Sequence, residues 1–271
     1  MTENYVRIEK KTSFTKWTID RPQRGNGLGP SIAKELTSHL KEYIKESPKN
    51  HALVISAAPI SGKDRKIWIA GGDLKELSSL TTAKEAFTFS KSMIQFLDNL
   101  SLLPIPVIMM IDGDAIGGGA EFALGGDIRI ATSTSRFEFK QLKMGLPTGF
   151  GGTRRLSQIL SLTQAETLIY GSQTLDATEA HSLGLLHGVT PTSEALQQLT
   201  EEWVDRLVSI DPQAFAAQKT LFRIARDTRS AAVDQESQLF SQAWNNPSHR
   251  EQIKAFLSKS AENKLTHIPK D

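Results

Sequence analysis

Glu121 follows three consecutive glycines, Gly117 to Gly119, in the stretch GDAIGGGAEFALGGDIRIA (residues 113–131). Glycine costs up to about 1 kcal/mol against alanine in a helix interior, so a triplet at a helix entry answers a need for bare backbone. A helix start carries unpaired N–H groups and a positive partial charge. Glycines there let a ligand atom approach closely. An oxygen that becomes negative during a reaction is one such ligand, and the donors that hold it form an oxyanion hole. Tight helix-to-strand packing is the other reason for a triplet. Glu121 is then either a carboxylate that complements the helix dipole or a general acid or base beside the hole. The pattern alone leaves both open.

A second segment has the same grammar. In IWIAGGDLKEL (residues 67–77), Gly71 and Gly72 lie between an apolar run and a helix start. Asp73 and Glu76 have the spacing of an N-cap and its N3 partner, so Asp73 is expected to cap. Gly72 offers another free N–H, and two such junctions could aim two N–H groups at one carbonyl oxygen. The third segment, FEFKQLKMGLPTGFGGTRRL (residues 137–156), is rich in glycine and leads into a helix. It has neither GxGxxG nor P-loop spacing, so a nucleotide site is weakly supported. A substrate-lining loop fits better.

The elements that must position these residues follow from periodicity. YVRIE and FTKWTI read as a strand pair. PSIAKELTSHLKEYIKE places Ile32, Leu36, Leu40, Tyr43 and Ile44 at helical spacing. ALVISAA, PVIMMIDG and DIRIA read as buried strands, and AKEAFTFSKSMIQFLDNLSLL as an amphipathic helix between the first two. Strands alternating with helices predict an α/β fold with a mostly parallel sheet. Beyond about residue 190, four helical segments follow in succession: residues 193–210, 212–228, 232–246 and 249–259. The final ENKLTHIPKD reads as a polar tail. No internal repeat is visible.

Bulk properties narrow the function classes. The 271 residues are 39% hydrophobic and carry 32 Lys+Arg against 30 Asp+Glu, a net charge of +2. A core is affordable, and there is no electrostatic footprint for nucleic acid. There are no cysteines, which excludes disulfides, a thiol nucleophile and thiolate metal ligation. The first residues contain no apolar secretory core, and no apolar run is long enough to span a membrane. A cytoplasmic protein without metal is expected.

IAGGDLKEL, GDAIGGGAEFALGGDIRIA and MGLPTGFGGTRRL, in this order and spacing, resemble the enoyl-CoA hydratase/isomerase (crotonase) family. DRPQRGNGL and LDATEAHSLGLLHGV resemble two further family segments, so the likeness covers about residues 5 to 260. It implies a spiral of repeated ββα units over residues 1–192. Residues 193–271 would form a helical region that builds homotrimers, usually paired into hexamers. It implies acyl-CoA thioester substrates, with coenzyme A as part of the substrate and no other cofactor. The N–H groups of Gly72 and Gly118 would hold the thioester oxygen as an enolate forms, with Glu121 as the main acid–base group. Family hydratases use a second glutamate, and this chain has Gln141 there. An amide can neither take nor give a proton at neutral pH. Glu138 could substitute only if the loop is shifted. The resemblance assigns Gln23, Arg24, Trp68, Ala70 and Lys75 to the adenine and phosphates, and the basic loop APISGKDRK offers three more cations. A hydratase-type lyase leads. Decarboxylation, isomerisation, thioester hydrolysis and acyl-CoA binding without turnover remain alternatives.

Overall fold

The computed structural model describes residues 4–46, 51–60, 65–226, 237–238, 240–242, 244 and 247–265. Lys63 in the basic loop, the first part of the helical segment at 232–246 and residues 266–271 of the tail lie outside these.

The chain forms strands β1 (Val6–Lys10), β2 (Phe14–Ile19), β3 (Ala52–Ala57), β4 (Ile67–Ile69), β5 (Val107–Ile111), β6 (Asp114–Ile116), β7 (Ile128–Thr132), β8 (Arg136–Glu138), β9 (Thr174–Asp176) and β10 (Gly188–Thr190). Helices α1 (Pro30–Glu46), α2 (Leu74–Leu77), α3 (Ala83–Leu102), α4 (Gly118–Ala123), α5 (Gly152–Ile159), α6 (Leu162–Tyr170) and α7 (Ala177–Ser182) run among them. Helices α8 (Ser193–Val208), α9 (Pro212–Arg226) and α10 (Pro247–Leu265) close the chain.

Two sheets share the strands. One has the order β1-β2-β3-β5-β7-β10, and the other β4-β6-β8-β9. Among the described residues the β1–β2 and β8–β9 pairs are antiparallel and the other strand pairs parallel. Along the chain, β3 then β4, β5 then β6, and β7 then β8 each give one strand to each sheet before a helix follows. This is the expected ββα spiral. Its repeat is one of topology, which is why no sequence repeat betrays it. The apolar run PVIMMIDG holds the expected buried strand, β5, and Asp112 and Gly113 turn the chain from it into the short strand β6. Gly113 takes φ +127°, and a Cβ there would lie 2.7 Å from the Lys66 carbonyl carbon, so the bend between sheets requires glycine. The three-residue strands β8, β9 and β10 were missed because so short a run shows no period.

Strands β3, β5 and β7 are buried almost throughout, as near-continuous apolar runs require. A capping box of Thr82 and Glu85 starts α3. The apolar stripe of α8 packs on its own sheet. Leu196, Val204 and Leu207 cluster there with Val54, Ile108 and Ile130, with Leu199 and Trp203 beside them. Phe240 and Trp244 join the central core, and Trp244 Nε1 donates to the Leu80 carbonyl at 2.7 Å. The C-terminal region is thus bound into the body of its own chain. Some apolar residues of this region still face outward, among them Leu221, Phe222 and Ile224 of α9 and Phe256 of α10, each more than half exposed.

Candidate active site

Strands β4, β6 and β8 lie side by side and parallel, with Ile69 opposite Ala115 and Ile116 opposite Glu138. Their carboxyl ends therefore fall together. The first leads into Gly71-Gly72, the second into Gly117-Gly118 and the third into Gln141. The first two junctions touch: a Cβ on Gly71 would stand 2.8 Å from the Ile116 carbonyl oxygen and 3.5 Å from the Gly118 nitrogen. Gly71 (φ +101°) and Gly117 (φ +53°) both adopt backbone that favours glycine.

Hydrogen bonds fix the two peptide planes. Leu28 N–H donates to the Gly71 carbonyl at 2.8 Å. A trans peptide points its N–H opposite its C=O, so the Gly72 N–H is aimed away from Leu28. Glu121 N–H donates to the Gly117 carbonyl at 3.2 Å, which aims the Gly118 N–H off the start of α4. Both glycines are half-buried. Among the described residues neither N–H has an acceptor.

Glu121, 1% exposed, lies one turn along α4. Its Oε1 accepts from Gln141 Nε2 at 2.6 Å and from Gly149 N–H at 3.2 Å. Its Oε2 accepts from Phe150 N–H at 2.7 Å and Gly152 N–H at 2.9 Å. Two carboxylate oxygens offer about four acceptor positions, and all are filled. Burial raises the Glu121 carboxyl above the ordinary glutamate range, against the opposing pull of these four donors. Gln141 Oε1 is buried and has no partner among the described residues.

This arrangement can hold an oxyanion on two backbone donors, with one carboxylate and one amide alongside. A model of the enoyl-CoA hydratase/isomerase family matches residues 9–263. The chain belongs to that family. It is similar to a short-chain-enoyl-CoA hydratase of Clostridium acetobutylicum, 32% identical over 260 residues and covering 96% of this chain and 97% of that one. It is also similar to an ethylmalonyl-CoA decarboxylase of Mus musculus, 27% identical over 250 residues, covering 91% and 75%. The solved enoyl-CoA hydratase of Bacillus halodurans shares the fold, with a TM-score of 0.82, 20% identity and coverage of 93% and 100%.

Within this crotonase fold, four of the five residues assigned to coenzyme A gather in one place. Gln23, Ala70 and Lys75 are exposed. Arg24 is partly exposed and reaches Asp73 Oδ1 at 3.5 Å. Ala70 N–H donates to the Gly25 carbonyl at 2.9 Å, joining the Gln23–Arg24 turn to the β4–α2 junction. Trp68 departs from its assignment. Its side chain is 1% exposed and packs against Phe122, ring centroids 6.1 Å apart, because its position in β4 faces it into the core. The basic loop is corrected too. Arg65 binds Asp114 through two contacts of 2.9 and 3.0 Å, and Lys66 pairs with Asp112 at 3.1 Å. Both cations are thus paired with aspartates at the ends of β6 and β5.

Asp73 caps α2, accepting from the N–H groups of Lys75 and Glu76. The reciprocal bond from Glu76 is not made. Glu76 accepts from Ser31 N–H at 2.9 Å and from Arg21 at 2.6 Å. Burial pushes its carboxyl up, but these partners prevail and hold it below the ordinary range. Glu138 does not replace the missing glutamate. Its carboxylate is engaged by Lys140 and by Thr174 Oγ1 at 3.3 Å, while its carbonyl accepts from Gly117 N–H at 2.6 Å. Sequence reasoning missed Arg21 and the three backbone donors to Glu121. It also missed His249 of α10, whose Nδ1 lies 2.7 Å from the Met144 carbonyl just after Gln141. The glycine-dense run 149–152 was the signal for the donors. Nothing local marked His249.

Proposed function

We propose that this protein is an acyl-CoA lyase of the enoyl-CoA hydratase type, whose reaction passes through a thioester enolate held by the N–H groups of Gly72 and Gly118. The observation that carries this reading is the contact between the two junctions, with neither N–H taken by an acceptor among the described residues. Donors of this kind act where charge develops and need no reorganisation when it does. Gln23, Arg24, Ala70 and Lys75 would meet the coenzyme A portion, with Lys75 and Arg24 suited to phosphate. For hydration, Glu121 is the proton carrier beside the two donors, and Gln141 Oε1, without a partner among the described residues, is the acceptor left for a water. The similarity to the Clostridium hydratase supports this assignment.

A second reading is favoured by the filled acceptors of Glu121. All four acceptor positions of Glu121 are taken, which leaves no lone pair open to a substrate proton, and Gln141 is no base. A 2-carboxyacyl thioester needs no base: the bond from the α-carbon to its carboxylate breaks, carbon dioxide leaves, and the electron pair forms the enolate. A proton from water then completes the acyl-CoA. The ethylmalonyl-CoA decarboxylase relative supports this branch.

One assay separates them. Purified protein is offered crotonyl-CoA and, in parallel, ethylmalonyl-CoA. Loss of 2-enoyl absorbance names hydration, and released carbon dioxide names decarboxylation. Binding of both esters without turnover of either would overturn the enzyme assignment. No helix among the described residues is long and apolar enough to cross a membrane, and the proposal includes a cytoplasmic location. It also includes a homotrimer or hexamer formed in part through the outward apolar residues of α9. Light scattering that returned a single chain at micromolar concentration would remove that part.

A further inference from the structure

We infer that Arg21 is the positioning residue for the Gly72 N–H, holding the oxyanion peptide from both sides through one buried guanidinium. The inference rests on the enolate-stabilising reading above, and Arg21 touches neither substrate nor reacting atoms in it.

The Gly71–Gly72 peptide hangs between two tethers. On one side Leu28 N–H holds the Gly71 carbonyl, and on the other Asp73 N–H donates to the Leu28 carbonyl at 2.9 Å. The peptide can be no better placed than residues 27–28 and Asp73. Arg21 grips both. Its Nη1 donates to the Gly27 carbonyl at 3.1 Å. Its Nη2 lies 3.1 Å from Asp73 Oδ2 and 2.6 Å from Glu76 Oε1. The Asp73 contact is an ion pair and not a directed hydrogen bond. Arg21 is 3% exposed, with its guanidinium carbon 4.1 Å from the centre of the Tyr5 ring. Its own N–H donates to Asn26 Oδ1 at 3.0 Å, and Asn26 Nδ2 donates to the carbonyls of Ala58 and Trp68. That ties the same unit to β4.

A buried arginine with two carboxylates is costly to desolvate, and well-packed apolar residues are often as stable. Stability is therefore a weak reason for the cluster. Geometry is a better one. The planar fork fixes directions as well as distances, and an N–H aimed at a developing charge is sensitive to small displacements.

The test uses acetoacetyl-CoA, whose acidic α-proton lets it bind as an enolate visible in the near ultraviolet, with free coenzyme A as the ground-state control. The α-proton acidity of the bound ester is titrated for wild type, Arg21→Lys and Arg21→Met. A site of the proposed kind makes the bound ester more acidic than the free one. Loss of Arg21 should reverse that by about ten- to a hundredfold in Arg21→Met, with partial recovery in Arg21→Lys. Affinity for free coenzyme A should stay within about twofold, and kcat should fall with little change in KM. If wild type acidifies the ester and Arg21→Met does so equally, the positioning role is overturned. If Arg21→Met loses affinity for both ligands alike, the role is general scaffolding and the inference also fails. If wild type does not acidify the ester, the enolate reading itself falls and this inference with it. Should Arg21→Met not fold, Glu76→Gln decides by the same criteria, because it removes the charge that holds Arg21 Nη2 at 2.6 Å and touches no residue assigned to coenzyme A.

Discussion

The Gln141 amide donates to Glu121 Oε1 at 2.6 Å and so completes the ring of four donors around that carboxylate. A glutamate at position 141 could make this contact only by carrying a proton. Gln141 thus locks Glu121 as an acceptor where a pair of carboxylates would share a proton.

Gln141→Glu tests the consequence. Two carboxylates at this distance cannot both ionise freely, so one is pushed up and holds a proton near neutral pH. A proton donor and an acceptor then stand beside the enolate position. Hydration of crotonyl-CoA should rise by up to about 10²–10⁴-fold, followed by loss of 2-enoyl absorbance. The gain should fade as pH rises through the raised value. An unmutated protein that already hydrates crotonyl-CoA rapidly would show that Gln141 is no handicap.

Gly118→Pro removes a donor, and its ring also presses on Phe150, because a Cβ at Gly118 would stand 2.5 Å from that ring. Loss of one oxyanion donor should cost about 10²–10³-fold in kcat, and distortion at the start of α4 adds to it. Circular dichroism checks the fold. A folded variant with unchanged turnover would clear Gly118 of the role.

Glu121→Gln carries a pH signature. The folded carboxyl binds its proton more tightly than the unfolded one. Its protonation therefore adds stability that is fully present below the ordinary glutamate value, about 4.3, and is lost as pH rises through the raised folded value. Glutamine does not titrate. The stability of wild type minus that of Glu121→Gln should decline as pH rises from there and then level. The variant also has one oxygen for three backbone donors, and each unmet donor costs about 1–3 kcal/mol. Urea titrations across that range read both effects, and a flat difference would deny the shift.

Lys75→Ala and Arg65→Ala should part company. Lys75 is exposed beside the Gln23–Arg24 turn, so its loss should raise KM for an acyl-CoA by about tenfold, the equivalent of about 1.4 kcal/mol, with kcat retained. Arg65 is spent on Asp114, so its loss should lower thermal stability and leave KM alone. Initial-rate kinetics beside melting curves distinguish them, and equal KM effects would return Arg65 to the ligand site.

Much of this protein is written in short stretches of chain. The glycine junctions at 71–72 and 117–119, the Asp73 cap, the buried runs of β3 and β7 and the substitution at position 141 are legible because each depends on backbone geometry or periodicity within a few residues. The tertiary structure decided the rest. Whether Trp68 faced a ligand or the core, whether Arg65 met a phosphate or Asp114, and whether the α8 stripe met a second chain or its own sheet all turned on partners distant in sequence. The fate of Glu121 is the sharpest case. Its donors lie 20 to 31 residues away and converge only because β6 and β8 are neighbours. Acid–base character is set by burial and by the number of donors around a group, and no local pattern records either one.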